Sequence, residues 1–276
     1  MIRRHELSDA EWEFVRPLLP ESLRGRKRLD DRTVLNGIVW KFRTGTAWRD
    51  VPERTAPGTR CTPGFAGGPW TARSSGCSRP PRRRRTQLAT STGSCRSTPP
   101  WSVPTSMPPG PEKGLRSPGL GRSRGGLTSK IHLACDALGR PLAFTVTGGN
   151  TNDCTQFTAV MDAIRVPRPG PGRPRVRPSH VIGDKGYSSK EIRAWLRRHG
   201  VGHTIPQRSD QIRNRLRRGS RGGRPPAFDK QLYKRRNVVE RCFNRLKQWR
   251  GIATRYEKTA ESYQAAVTLA SLLMWA

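Results

Sequence analysis

Residues 55–119 divide this chain into two stretches that can build a core and one that cannot. The segment holds 12 of the 24 prolines, four consecutive arginines (Arg82 to Arg85) and a single acidic residue, Glu112. Ile, Tyr, Asn, Asp and His are absent from it, and no helical or strand period runs through it. Such text buries too little apolar surface to offset its ordering entropy, so a disordered Pro/Arg-rich linker is one expectation. The sharper expectation is a shifted reading frame. GC-rich coding DNA read out of register yields Arg, Pro, Ser, Gly, Thr, Cys and Trp with few acids, as here, and a second shift near residue 120 would restore the original frame.

Charge narrows the partners. The 276 residues carry 53 Lys+Arg against 20 Asp+Glu, a net charge of +33 and a pI near 11.6. An excess of this size concerns what the chain binds rather than how it folds, and a polyanion is the partner it implies. Residues 1–54 hold 12 basic and 9 acidic side chains, residues 55–119 hold 10 and 1, and residues 120–276 hold 31 and 10. The C-terminal stretch should therefore meet the phosphate backbone directly. Met1-Ile2-Arg3-Arg4-His5 leads into polar sequence rather than a secretory apolar stretch. The longest apolar run, 265–276, is shorter than the ~20 residues that span a bilayer. A cytoplasmic protein without a membrane span is expected. Cys61, Cys77, Cys95, Cys135, Cys154 and Cys242 form no C-x-x-C pair and read as unpaired thiols.

Residues 1–54 predict a small helical domain. Ser8-Asp9-Ala10-Glu11 is a capping box, followed by Trp12, Val15, Leu18 and Leu19 on one helical face. A second helix opens at Asp30 or Asp31, carries Val34, Leu35, Ile38, Val39 and Phe42, and stops at Thr44-Gly45-Thr46; Ala47 to Val51 starts a short third. Helix, glycine turn, helix fits a helix-turn-helix DNA reader and an ordinary helical bundle equally well.

Residues 120–276 predict an α/β domain. Strands are expected at 127–134 and 142–147, joined by a turn through Asp136 to Gly139. Asn152 or Asp153 caps a helix bearing Phe157, Val160, Met161 and Ile164. A strand at 180–183 ends on Asp184; Ser188-x-x-Glu191 caps a further helix that stops at Gly200; a strand at 201–205 follows. Then come a basic loop, with Arg213, Arg215, Arg217, Arg218, Arg221 and Arg224 as candidate DNA contacts, and a long helix from about Asp229.

Two features carry chemistry. Asp184 stands where a strand runs out, a place that holds a carboxylate rigidly in a crevice, although an Asp there is more often a turn residue. On the last long helix, about 100° per residue places Tyr233, Arg236, Glu240 and Lys247 on one face, beside the apolar stripe Val239, Cys242, Phe243, Leu246 and Trp249. Spacing alone favours a solvated face with an Arg236–Glu240 ion pair.

The pattern Tyr233-x2-Arg236-x3-Glu240-x6-Lys247 resembles the Tyr-Arg-Glu-Lys signature of a large branch of insertion-sequence DDE transposases. Asp184-Lys185-Gly186-Tyr187 is similar to the segment around that family's second catalytic Asp, and Gly125 to Lys130 and Gly148 to Asp153 are similar to its strand and turn. Residues 43–52 resemble its helical leader, so the likeness covers roughly 5–54 and 120–276. The resemblance implies a ribonuclease H-like core in which Asp, Asp and Glu meet at one edge. It also implies a two-Mg²⁺ site that cleaves phosphodiesters and joins strands at element ends. It assigns Asp184 and Glu240 as metal ligands and catalytic carboxylates, Arg236 and Lys247 as groups that contact phosphate or steady Glu240, and Tyr233 as a residue that positions the DNA strand. Its partners are double-stranded DNA of the terminal repeats and the target, and two-ended transposition calls for at least a pair of subunits, a homodimer. The first strand and its Asp should lie before Gly126, where residues 93–110 contain neither Asp nor Glu, so the strand is expected to be missing and the triad incomplete. Three competing expectations accompany this one: a non-enzymatic basic DNA binder, a nuclease without end specificity, and an inactive transposase remnant.

Overall fold

The computed structural model describes residues 5–19, 29–55, 89–97, 121–123, 126–167, 171–255, 257 and 259–276. In chain order the elements are α1 (Asp9–Val15), α2 (Asp31–Thr44), β1 (Ala89–Ser97), β2 (Gly121–Ser123), β3 (Gly126–Cys135), β4 (Pro141–Gly148) and α3 (Asp153–Asp162). They continue with β5 (His180–Gly183), α4 (Lys190–Arg198), β6 (Gly202–Thr204), α5 (Ser209–Arg217), α6 (Lys230–Tyr233), α7 (Asn237–Lys247), α8 (Arg250–Thr254) and α9 (Ala260–Leu273). The chain separates into two compact units. One comprises Met1–Pro80, Arg96–Ser129 and Asn244–Ala276, the other Pro81–Cys95 and Lys130–Phe243.

In the first unit the two ends of the chain share one core. Ser8 and Glu11 form the expected capping box, and Asp30 caps α2 by accepting from the Thr33 N–H. Gly45 closes α2 at φ +75°, the left-handed conformation that a side chain resists. Leu35, Ile38, Val39 and Phe42 are buried, the 3.6-residue stripe expected of a helix packed on one side. Gly251 on α8 permits the approach, because a Cβ there would lie 3.0 to 3.1 Å from the ring and backbone of Phe42. Lys41 is buried in an ion pair with Glu257, its ammonium 4.2 Å and 4.9 Å from the ring centroids of Phe42 and Trp48. Arg43 pairs with Glu11 and lies over Trp249 at 5.0 Å. The third helix expected at 47–51 is a single 3-10 turn, Trp48–Asp50.

The strands pair in the order β2-β3-β1-β5-β6, with β4 also paired to β3; β2 belongs to the first unit, and β4, β5, β6 and most of β1 and β3 to the second. β1, β5 and β6 run parallel, Ala89 to Thr92 pairing with His180 to Gly183 and His180 to Ile182 with Gly202 to Thr204. A strand, β1, thus stands at 89–97 beside β5, where the first strand was expected to be missing. The reason is that a ladder is made by backbone N–H and C=O groups, which any residue but proline supplies. The apolar alternation that reveals a strand in sequence is absent from this stretch. The rest of the Pro/Arg-rich segment, Arg82 to Arg85 included, lies outside the described residues. The core of this unit joins Ala134, Phe157, Val160, Met161, Val181, Tyr187, Leu196 and Ile205, layering α3 and α4 on the sheet.

Asp136 is a turn residue. It is buried, and its carboxylate accepts from the Leu138 and Arg140 N–H groups and pairs with the Arg140 guanidinium. Asn152 caps α3, as expected. The cap of α4 is Ser189 rather than Ser188, because the Ser188 hydroxyl is buried and bonded to Gln211 and Arg193. The expected basic loop begins as a helix, α5, with a 3-10 turn after it, since arginine and glutamine favour helix. The long helix expected from Asp229 is broken: α6 tightens into a 3-10 turn at Lys234–Arg236 before α7 resumes.

His132 gives this unit a pH dependence. Its ring is buried, Nε2 lies 2.8 Å from the Thr147 hydroxyl, and Nδ1 is 3.5 Å from Asp153, which also pairs with Lys130 at 2.6 Å. Burial pulls the imidazole down to about 4, opposed by Asp153 and reinforced by Lys130. The unfolded chain takes up that proton near pH 6.5, so between those values unfolding binds a proton and stability falls as pH falls. Denaturant unfolding from pH 7 to pH 4 should lose on the order of 3 kcal/mol more in the parent than in H132N. Parallel pH curves for the two proteins would show that His132 is not the titrating group.

Candidate DNA-processing site

Asp184 follows β5 and caps the 3-10 turn Lys185–Tyr187, its Oδ1 accepting from the Lys185 N–H at 2.7 Å. The Tyr187 side chain is buried beneath it, and Cys154 at the start of α3 donates to the Gly186 carbonyl at 2.8 Å. The backbone that presents Asp184 is thus held from two sides. Burial, then the nearby Asp153, Cys154 and Asp184, push the Tyr187 phenol up, so it stays a neutral packing group.

Glu240 comes from α7, whose buried Val238, Val239, Cys242, Phe243 and Leu246 form the inward stripe and leave Glu240 on the exposed side. Arg236 joins the two carboxylates. One amino group is hydrogen-bonded to Glu240 Oε1, and the other lies 3.9 Å from Asp184 Oδ2. The Tyr233 hydroxyl donates to Asp184 Oδ1 at 3.5 Å. Burial pushes this phenol up, Arg236 opposing and Asp184 and Glu240 adding to the effect, so it holds its proton as a donor at neutral pH. Asp184, Tyr233, Arg236 and Glu240 are therefore gathered at one place. Lys247, the last residue of α7, is exposed and belongs to the other unit.

Among the described residues no group of three or more His, Cys, Asp and Glu is placed to hold an ion. The two carboxylates that are together share a guanidinium, which already supplies their counter-charge. Of the candidate DNA contacts, Arg213, Arg217, Arg218, Arg221 and Arg224 are exposed. Arg215 differs: its Nε is buried without a hydrogen-bond partner, and its carbonyl lies so close to Gly222 that a Cβ there would be 2.1 Å away. Sequence reasoning passed over Phe228, whose exposed ring sits 5.2 Å from that of Tyr233. The only signal for it was an aromatic residue within an Arg/Pro-rich stretch.

Residues 102–275 match the family described as "Transposase DDE domain", and residues 7–67 match "Putative transposase of IS4/5 family". The chain belongs to the insertion-sequence DDE transposases. Among curated relatives of this transposase is the "Putative transposase for insertion sequence element IS6501" of Brucella ovis, 32% identical over 149 residues. That alignment covers 54% of this chain and 98% of the relative. The "Putative transposase for insertion sequence element IS402" of Burkholderia cepacia is 36% identical over 146 residues, 53% of this chain and 62% of that protein. A 16.2 kDa protein of the same element is 34% identical over 62 residues, 20% of this chain and 42% of its own length. The two family matches reach into the Pro/Arg-rich segment from both sides and leave residues 68–101 of this transposase uncovered. No helix among the described residues is long and apolar enough to cross a membrane.

Proposed function

We propose that this chain is a DNA-binding DDE transposase whose own strand-cleaving activity is lost because its carboxylate set is incomplete. The single observation behind this reading is Arg236 joined to both Asp184 and Glu240 with Tyr233 against Asp184, and no third carboxylate placed with them among the described residues. In the family the intact triad would use a divalent metal, Mg²⁺ in the simplest case, to cleave at element ends and transfer strands. The strand order β4-β3-β1-β5-β6, with a parallel β1-β5-β6 half, supports a ribonuclease H-like core, with residues 1–54 as a helical leader. Terminal-repeat and target duplexes are the DNA partners, and a homodimer is the smallest assembly that serves two ends.

Residues 55–119 fit a stretch translated out of frame, which is why the position of the first Asp holds none. Two measurements on the full chain test the reading together. Binding to duplex DNA should weaken about 10³-fold or more between 50 and 200 mM salt, the mark of several phosphate contacts. In the same buffers with Mg²⁺, plasmid nicking should not exceed that of the D184N/E240Q double variant. Nicking well above that variant would overturn the loss of activity. Salt-insensitive or absent binding would overturn the DNA reading.

A further inference from the structure

Within the first unit, Lys41, Trp48 and Glu257 line an open cavity of about 620 Å³, with Thr259 and Ser262 at the start of α9 also in its wall. That volume lies in the range of small-molecule sites, roughly 300–1,000 Å³. The wall is made locally. Lys41 stands in the last turn of α2, Gly45 turns the chain, and the 3-10 turn at Trp48–Asp50 brings the Trp48 ring back to 4.9 Å from the Lys41 ammonium. An ammonium has three N–H donors and no acceptor. The Lys41 side chain is 3% exposed, yet Glu257 is the only acceptor it meets among the described residues, the rings of Phe42 and Trp48 being its other neighbours. Glu257 uses Oε1 for Lys41, and no hydrogen bond reaches its other oxygen among the described residues. The cavity thus sets unmet donors beside an unmet acceptor, next to a flat aromatic side chain. Filling it with a second ion pair would desolvate two more charges. A neutral ring with a carbonyl beside ring N–H groups meets both partners at lower cost.

We infer that this cavity binds a free guanine mononucleotide, its O6 accepting from Lys41, its N1–H and N2 amine donating to Glu257, and its ring lying along Trp48. Guanine places a carbonyl next to two parallel N–H donors that one carboxylate can take together. Adenine presents an acceptor at N1 and would set lone pair against lone pair at Glu257. Thr259 caps α9 by accepting from the Ser262 N–H and donating to the Ser262 hydroxyl, which leaves the Ser262 proton to give. With the positive end of this 14-residue helix, that hydroxyl favours the phosphate. Such a site needs neither the Asp184–Glu240 cluster nor DNA.

Burial pulls the Lys41 amine down to about 8, so near that pH it can be acetylated by an activated ester and located by peptide mass mapping. The test uses the full chain with GMP, IMP and AMP, probes of equal charge, at about 0.3 M salt, where attraction to the basic surface is screened. GMP should slow acetylation of Lys41 at least about tenfold and leave the other lysines unchanged. IMP, which lacks the amine, should need about tenfold more for the same protection, and AMP should give none. E257Q keeps the shape but turns an N–H₂ group toward the donor edge, and should lose the preference for GMP over AMP, with circular dichroism as the check on folding. Equal protection by GMP and AMP overturns base recognition. So does binding of GMP that leaves Lys41 unprotected, and so does an absence of GMP binding. Protection of Lys41 by duplex DNA and not by GMP would assign the cavity to DNA and overturn the nucleotide site. The comparison on the unaltered chain decides the question even if E257Q does not fold.

Discussion

A gene carrying a one-nucleotide insertion near codon 54 and a one-nucleotide deletion near codon 120 is expected to encode a protein that nicks DNA in Mg²⁺ at least ~100-fold faster than the present chain. The expectation follows from the genetic code applied to this sequence. In the frame that joins the third base of each codon to the first two of the next, every Thr contributes a codon for Asp, Asn, His or Tyr. Trp has a single codon, so the junction of Trp70 and Thr71 can encode only Asp. Cys95 contributes Leu, Met or Val, and Ser97, when its codon begins TC, contributes Phe, Leu, Ile or Val. Thr98 then offers Asp. A segment with one acid and no strand period thus gains, in another frame, apolar residues from Cys95 and Ser97 followed by a codon able to supply the absent carboxylate. It does so where β1 already runs parallel to the strand that leads to Asp184. Resequencing and translating all three frames comes first, and E240Q in the restored protein should remove the gain. A restored protein that nicks no faster than the present one would make residues 55–119 native sequence.

The second large effect concerns affinity. Changing Arg213, Arg217, Arg218, Arg221 and Arg224 together to glutamine should flatten the slope of log affinity against log salt by up to about 4, and weaken duplex binding by on the order of 100-fold or more at low salt. These side chains are exposed, so the fold should survive, with circular dichroism as the check. Arg215 is left out because its buried Nε and the close pass of Gly222 make it part of the packing. An unchanged slope would move the DNA-binding surface away from α5 and the turn that follows it.

The success of sequence reasoning varied with the range of the interaction. The Ser8–Glu11 box, the Asn152 cap, the Gly45 stop and the inward stripe of α7 are decided within a few residues, and each was legible. Ser188 shows where locality fails: its capping pattern is sound, but Arg193 and Gln211 claim its hydroxyl and the cap moves to Ser189. β1 shows the converse, a strand invisible to hydrophobic alternation because backbone ladder bonds to β5 hold it. The 3-10 turn at Lys234–Arg236 was hidden as well, since no glycine or proline marks it.

The sequence by itself determined the family and singled out Asp184, Tyr233, Arg236 and Glu240, which the fold gathers at one place. Charge and the spacing along one helix are local properties that survive without a fold. Tertiary structure alone decided that a guanidinium holds the two carboxylates, that Asp136 is consumed by its own turn, and that Phe228 stands beside Tyr233. It also decided that the N-terminal helices share a core with α8, where Gly251 admits Phe42. Each of these depends on distances between residues far apart in the chain, which side-chain packing sets and periodicity cannot encode.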